Sequence, residues 1–204
     1  MEFGPTGFPF EEYIAEIFKA KGYETLIDQV VLGSCVPHEV DVVAWNEQKL
    51  IMTEVKYHNE PGGKTDLKVA LYVKARFDDL NSHKHVYGAY PARNISEWWL
   101  VTNTKFTDTA TKYAECQKNL HLVSWGYPEG NSLLDMIEAA KLHPITCLNS
   151  ITAAEKAELI SHDIVLCKTV YQKKNVLLTL GYSEEKIEDV MNEISQIINL
   201  TPHN

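Results

Sequence analysis

Glu39-Val40-Asp41-Val42-Val43-Ala44-Trp45-Asn46-Glu47-Gln48-Lys49-Leu50-Ile51-Met52-Thr53-Glu54-Val55-Lys56 decides how this chain of 204 residues folds. Two apolar, β-branched runs flank the polar Asn46-Glu47-Gln48, which reads as a short hairpin connection between strands over about 39–45 and 49–57. Strand neighbours alternate faces, so Glu54 and Lys56 share one face and Val55 takes the other. A turn at Glu47-Gln48, closed by Asn46 and Lys49, puts Asp41 directly opposite Glu54. Directly paired β-carbons lie about 4.5–5.5 Å apart, where like charges repel. The flanking Val40, Val42, Val43, Ile51 and Val55 suggest strands well inside a sheet, where charges need a partner or an ion. Two carboxylates with open positions for water and phosphate suit Mg²⁺, with Mn²⁺ as an alternative. Lys56 points an ammonium at the same place, where it would orient or help deprotonate a water or stabilise charge on a phosphate. The competing reading is an exposed hairpin face with ordinary solvated charges.

Outward from the hairpin, Phe10, Tyr13, Ile14, Ile17 and Phe18 follow helical spacing, with Pro9 at the start and Gly22 past the end. A strand over about 25–32 precedes the hairpin. Residues 66–80 look helical, 83–94 form a polar loop, and Trp98-Trp99-Leu100-Val101-Thr102 reads as a buried strand. Thr107 opens a helix to about Lys118, and Leu120 to Trp125 forms another strand. This order implies an α/β fold, a mixed central sheet flanked by helices. Past Gly126-Tyr127-Pro128-Glu129-Gly130 only helices are expected. Pro144 stops one of them, and Thr152 to Glu155 has capping-box spacing. The expected domains are therefore 1–126, and a small all-α domain over 127–204.

Hydrophobic residues make up 45% and charged residues 23%. That composition excludes disordered, collagen-like and rod-like chains. No apolar run approaches the roughly 18 residues of a membrane span, and Met-Glu-Phe-Gly-Pro lacks the features of a signal peptide. The four cysteines are scattered without C-x-x-C spacing, which fits reduced thiols and a cytoplasmic setting. The net charge is −9, but it is unevenly spread. Residues 1–59 hold 4 basic and 10 acidic side chains, residues 60–125 hold 9 and 7, and residues 126–204 hold 6 and 11. Only the middle of the chain would welcome a polyanion.

Asp41 followed by Glu54-Val55-Lys56 resembles the D…E-x-K core of the restriction-endonuclease-like phosphodiesterases. More narrowly, it is similar to the Mrr-type catalytic domain, a relative of archaeal Holliday junction resolvases. Phe10-Glu11 ahead of Gly22-Tyr23 looks like that family's opening helix. Val101-Thr102-Asn103-Thr104-Lys105-Phe106-Thr107 with Ala110 resembles its later strand-to-helix junction. The likeness spans about residues 7–125. It implies a metal-dependent DNA endonuclease of restriction or repair type, with Asp41 and Glu54 as metal ligands, Lys56 as the catalytic lysine and Glu11 as an outer catalytic carboxylate. Family members often carry Gly-x-Asp, whereas this chain has Pro37-His38-Glu39-Val40 before the Asp.

DNA is the expected partner, along Lys64, Lys68, Lys74, Arg76, His83, His85 and Arg93. A homodimer is the expected assembly. Two alternatives stand beside cleavage: a nuclease-like fold kept for DNA binding or regulation, and a junction resolvase acting as a symmetric dimer. The helices from Ile151 to Val170 look loosely like a helix-hairpin-helix unit, but Ser161-His162-Asp163-Ile164 replaces its glycine-rich turn.

Overall fold

The computed structural model describes residues 8–60 and 62–199. These divide into two compact units, residues 10–135 and the residues from 136 onward, with residues 8 and 9 grouped with the latter.

The first unit opens with α1 (Phe8–Ala20), which stops at Gly22, held at φ +84° where a side chain would be strained. Then come β1 (Glu24–Leu32), β2 (Pro37–Trp45), β3 (Leu50–Lys56) and the two-residue β4 (Lys64–Thr65). α2 (Leu67–Leu80) follows, started by Asp66, whose carboxylate accepts from the N–H groups of Lys68 and Val69. β5 (Glu97–Thr102), the short β6 (Lys105–Phe106), α3 (Asp108–Cys116) and β7 (Leu120–Val123) complete the series, and α4 (Leu133–Ala140) starts in this unit and runs into the second. The main sheet has five strands in the order β1-β2-β3-β5-β7. Its first three strands are antiparallel, and β5 and β7 run parallel to β3 and to each other. β4 and β6, which sequence patterning did not reveal, pair with each other in a separate two-stranded sheet.

The hairpin register follows from its turn. The Asn46 side-chain oxygen accepts from the N–H groups of Gln48 and Lys49, both at 2.9 Å, and the Asn46 N–H donates to the Lys49 carbonyl at 3.0 Å. From there Trp45 pairs with Leu50, Ala44 with Ile51, Val43 with Met52 and Val42 with Thr53. One core lies between the sheet and α2 and α3: Val43, Trp45, Leu50 and Met52 meet Ala70, Val73, Phe77 and Leu80, with Trp98 and Leu100 from β5. Fully burying side chains of this size contributes about 1.5–3 kcal/mol each. On α1, Phe18 packs edge-on against Trp99, which alternates with Trp98 along β5. β3 is therefore covered on both sides, which is why Thr53 and Glu54 are buried there.

The alternation of β2 slips at Asp41. Val40 joins the same core cluster as Val43 and Trp45, although it is three and five residues away from them. Opposite Asp41 in the β1–β2 register, between the pairs Ile27–Val42 and Gln29–Val40, stands Asp28 at φ +52°. A non-glycine residue in the left-handed region locally breaks the ladder and turns the strand. At the far end of this hairpin, Asp79 of α2 clasps the turn. It accepts from the Cys35 N–H at 2.8 Å and the Val36 N–H at 3.3 Å, and pairs with His38 at 2.7 Å. A β-carbon on Gly33 would lie 2.1 Å from Asp79 Oδ2, so the clasp needs glycine there.

The second unit holds a 3₁₀ turn (Ile145–Cys147), α5 (Ala153–Ser161), α6 (Cys167–Gln172), α7 (Asn175–Thr179) and α8 (Glu184–Asn199). Thr152 and Glu155 form the capping box of α5. Its core gathers Ile145, Leu148, Leu159, Cys167, Val170, Leu177, Val190 and Ile194. All four cysteines are free thiols. No helix among the described residues is long and apolar enough to cross a membrane.

Candidate active site

Asp41 and Glu54 meet where β2 and β3 part. The hydrogen-bonded pairs run out at Val42–Thr53, and Asp41 Oδ2 takes over by accepting from the Val55 N–H at 2.6 Å. That bond fixes the Asp41 carboxylate beside the residue that follows Glu54. Burial and the negative charge of Glu54 push Asp41 up to about 6, against the Val55 N–H, Lys56 and Arg76, which pull it down.

Glu54 is only 3% exposed and is neutralised twice. Its Oε1 pairs with Lys56 Nζ at 2.7 Å, and its Oε2 pairs with Arg76 from α2. Charge-assisted bonds of this kind are the strong ones, and burial makes them costly to break. Lys56 keeps its ammonium partly in solvent. Burial of its stem lowers its pKa, but the bond and charge of Glu54, with Asp41, outweigh that and hold it above the ordinary lysine value.

Glu11 lies on the α1 side of the same place. Burial raises it to about 7, helped by the charges of Asp41, Asp28 and Glu39 and by a hydrogen bond with Asp28. The structure thus brings together Glu11, Asp41, Glu54 and Lys56, and adds two residues that sequence reading did not assign to the site, Asp28 and Arg76.

Arg76 is a correction. It was expected on a phosphate-tracking surface, but it is 6% exposed, bonds Glu54 and lies 5.1 Å from the Tyr72 ring centroid. A signal was present: Ala70, Val73, Arg76, Phe77 and Leu80 fall on one helical stripe, and all are buried. A charge inside such a stripe calls for a partner. Asp28 offered no comparable signal, because nothing local predicts a left-handed aspartate within a strand.

The other basic residues divide. Lys64, Lys68 and His83 are exposed. Lys74 pairs with Asp78. His85 bonds the Leu80 carbonyl at 2.9 Å, and Arg93 bonds the Glu47 carbonyl at 3.2 Å while covering Tyr90. His58, between β3 and β4, is likewise structural, bonded to Thr65 and clamped to Asn103.

The donor set can be weighed against a divalent cation. Hard carboxylate oxygens suit Mg²⁺, which is commonly held by one or two carboxylates while water and phosphate complete its shell. Among the described residues no group of three or more His, Cys, Asp or Glu side chains is arranged to hold a metal ion, so a cation here would rest on two carboxylates. Asp41 and Glu54 are of the right chemistry and number for an open site, and burial, with the charge of Glu54 beside it, raises Asp41.

The strand order, the crossing helices and the carboxylates on the central hairpin define a restriction-endonuclease-like fold. Residues 5–137 match the family of Mrr-type catalytic domains, the restriction endonucleases, and the chain belongs to that nuclease family. Residues 143–198 match the AF1548-like C-terminal family. An uncharacterized protein of Archaeoglobus fulgidus is 34% identical over 186 residues, 91% of this chain and 99% of the relative. The crystal structure of AF1548, a protein of unknown function, superposes with a TM-score of 0.67 at 33% identity, covering 94% of this chain and 98% of that one. A repair endonuclease from Pyrococcus abyssi is more distant, with a TM-score of 0.41 and 18% identity over 60% of this chain and 47% of its own.

Proposed function

We propose that the chain is a metal-dependent DNA endonuclease that hydrolyses phosphodiester bonds at Asp41, Glu54 and Lys56. The observation that carries this reading is their juxtaposition at the parting of β2 and β3, with Asp41 anchored on the Val55 N–H and Lys56 bonded to Glu54. Asp41 and Glu54 would hold Mg²⁺, or Mn²⁺ in its place. The ion, when bound, would supply Lewis acidity toward the phosphate. Arg76 fixes the Glu54 carboxylate in place, so that little reorganisation is needed when substrate arrives. Lys56 supplies a positive charge at the rim, where its Nζ can donate to a phosphate oxygen or position the attacking water. Glu11, close to Asp41, orients water from the α1 side. Lys64, Lys68 and His83 are the exposed groups that would meet the DNA backbone.

The test is cleavage by purified protein of duplex, single-stranded and four-way-junction DNA, with Mg²⁺ or with EDTA. The expected result is Mg²⁺-dependent strand scission. Binding of DNA without scission of any substrate would replace this reading with a regulatory one, and scission of junctions in preference to duplex would mark a resolvase.

A further inference from the structure

The helical unit contains a cavity of about 350 Å³. Small-molecule sites span about 300–1,000 Å³. The cavity is lined by Lys141 at the end of α4, Lys168, Tyr171 and Gln172 of α6, and Ser195 and Ile198 of α8.

The charge of this lining runs against that of its surroundings. Residues 126–204 hold 11 acidic and 6 basic side chains, yet no carboxylate lines the cavity and two lysines do. Among the described residues, neither lysine is in an ion pair. Among the described residues of this unit, the ion pair is Lys186 with Glu155 at 3.4 Å. Unpaired cations gathered in a concave site attract an anion.

Lys141 also occupies an unusual place. The Leu142 N–H reaches back to the Ile137 carbonyl and the Lys141 N–H to Glu138, which closes α4 with residue 141 at φ +54°. Glycine is the usual occupant of that left-handed position. A lysine there keeps its side chain at the cavity despite the backbone penalty. The remaining lining has a different character. Tyr171 is 49% exposed, a large ring left in solvent beside the amide of Gln172 and the hydroxyl of Ser195, with Ile198 as an apolar wall.

We propose that this cavity binds a nucleoside 5′-phosphate group, with Tyr171 against the base and Lys141 and Lys168 on the phosphate. Gln172 and Ser195 then meet the hydrogen-bonding edge of the base or the sugar hydroxyl. A flat π-system joined to an anion is the ligand class that uses every part of this lining, because any base can stack on an aromatic ring. The group has two sources, a free mononucleotide or the 5′ end of a DNA strand.

The test is calorimetric titration of the full chain in EDTA with dAMP, with deoxyadenosine, and with a short single strand bearing a 5′-phosphate. Without divalent metal no cleavage intervenes, so the outcome does not depend on whether the protein is a nuclease. The expected result is saturable one-to-one binding of dAMP or of the phosphorylated strand below about 1 mM. Deoxyadenosine binds at least about tenfold more weakly, and Lys168→Glu and Tyr171→Ala each lose about tenfold or more. Lys173→Glu, an exposed neighbour outside the cavity, changes little. Tighter binding of the strand assigns the site to DNA ends, and equal or tighter binding of dAMP assigns it to free nucleotide. Three results overturn the proposal: no saturation by either ligand, deoxyadenosine binding as tightly as dAMP, or both variants binding like the parent.

Discussion

Asp41 and Glu54 stand on adjoining strands of one hairpin, yet their electrostatic surroundings are opposite. Glu54 is buried against Lys56 and Arg76, so both of its oxygens face cations. Asp41 accepts from a single backbone N–H and is pushed up to about 6 by burial and the charge of Glu54, with Lys56 and Arg76 only partly opposing. Lys56 and Arg76 bond Glu54 directly and reach Asp41 only through space, so Asp41 is the less neutralised of the two. The first arrangement positions a group, and the second makes room for a cation to be stabilising. Mutation should therefore move stability in opposite directions on the two strands while removing activity on both.

The largest effect is expected at Glu54. Glu54→Ala leaves the Arg76 guanidinium buried without its carboxylate, which costs about 3–5 kcal/mol. Urea unfolding should show it, and a loss under about 1 kcal/mol would mean that solvent already screens the pair. Glu54→Gln keeps the shape and should fold better while remaining inactive. Asp41→Asn should do the reverse. It removes one member of a repelling set and keeps an acceptor for the Val55 N–H, so stability at pH 8 should rise by an amount on the order of 1 kcal/mol. Thermal unfolding of the two variants side by side shows whether the signs differ. Equal losses at both positions would erase the contrast.

A smaller effect belongs to the clasp at the other end of the β1–β2 hairpin. The His38 hydrogen bond, with the N–H groups of Cys35 and Val36, holds Asp79 down at about 2. Its folded value lies below its unfolded value, so its contribution is complete above about pH 4 and is lost as pH falls toward 2. Asp79→Asn should be less stable than the parent at pH 5, and the gap should close between pH 4 and pH 2 in an acid titration of the melting temperature. A gap that persists at pH 2 would show that shape, not charge, makes the clasp. The smallest effect is expected at Lys68, exposed on the first turn of α2. Lys68→Glu should weaken DNA binding modestly and reduce the slope of log affinity against log salt by about one.

What the sequence made legible was written locally. The Asn46 to Lys49 turn and the alternation on either side of it set the hairpin register, and that register brought Asp41 toward Glu54-Val55-Lys56. Helix starts at Thr107 and Thr152 followed from side chains that can accept backbone N–H groups nearby. The parts that stayed hidden depend on contacts distant in the chain. Arg76 meets Glu54 across 22 residues and only after α2 has packed on the sheet. Lysine and arginine content alone could not separate it from surface charges such as Lys68. Asp28 acquires its meaning from a break in the β1–β2 ladder that no glycine announces.

DNA cleavage is proposed to take place at one site, built on the β2–β3 hairpin. The most direct measurement compares phosphodiester cleavage by the parent, Asp41→Asn and Lys56→Ala, purified identically, shown to be folded, and assayed with Mg²⁺. Scission is expected from the parent alone, with each variant reduced by at least about a hundredfold, as is usual when a transition-state charge partner is removed. Variants that cleave as fast as the parent would contradict it and would place any activity somewhere other than Asp41, Glu54 and Lys56.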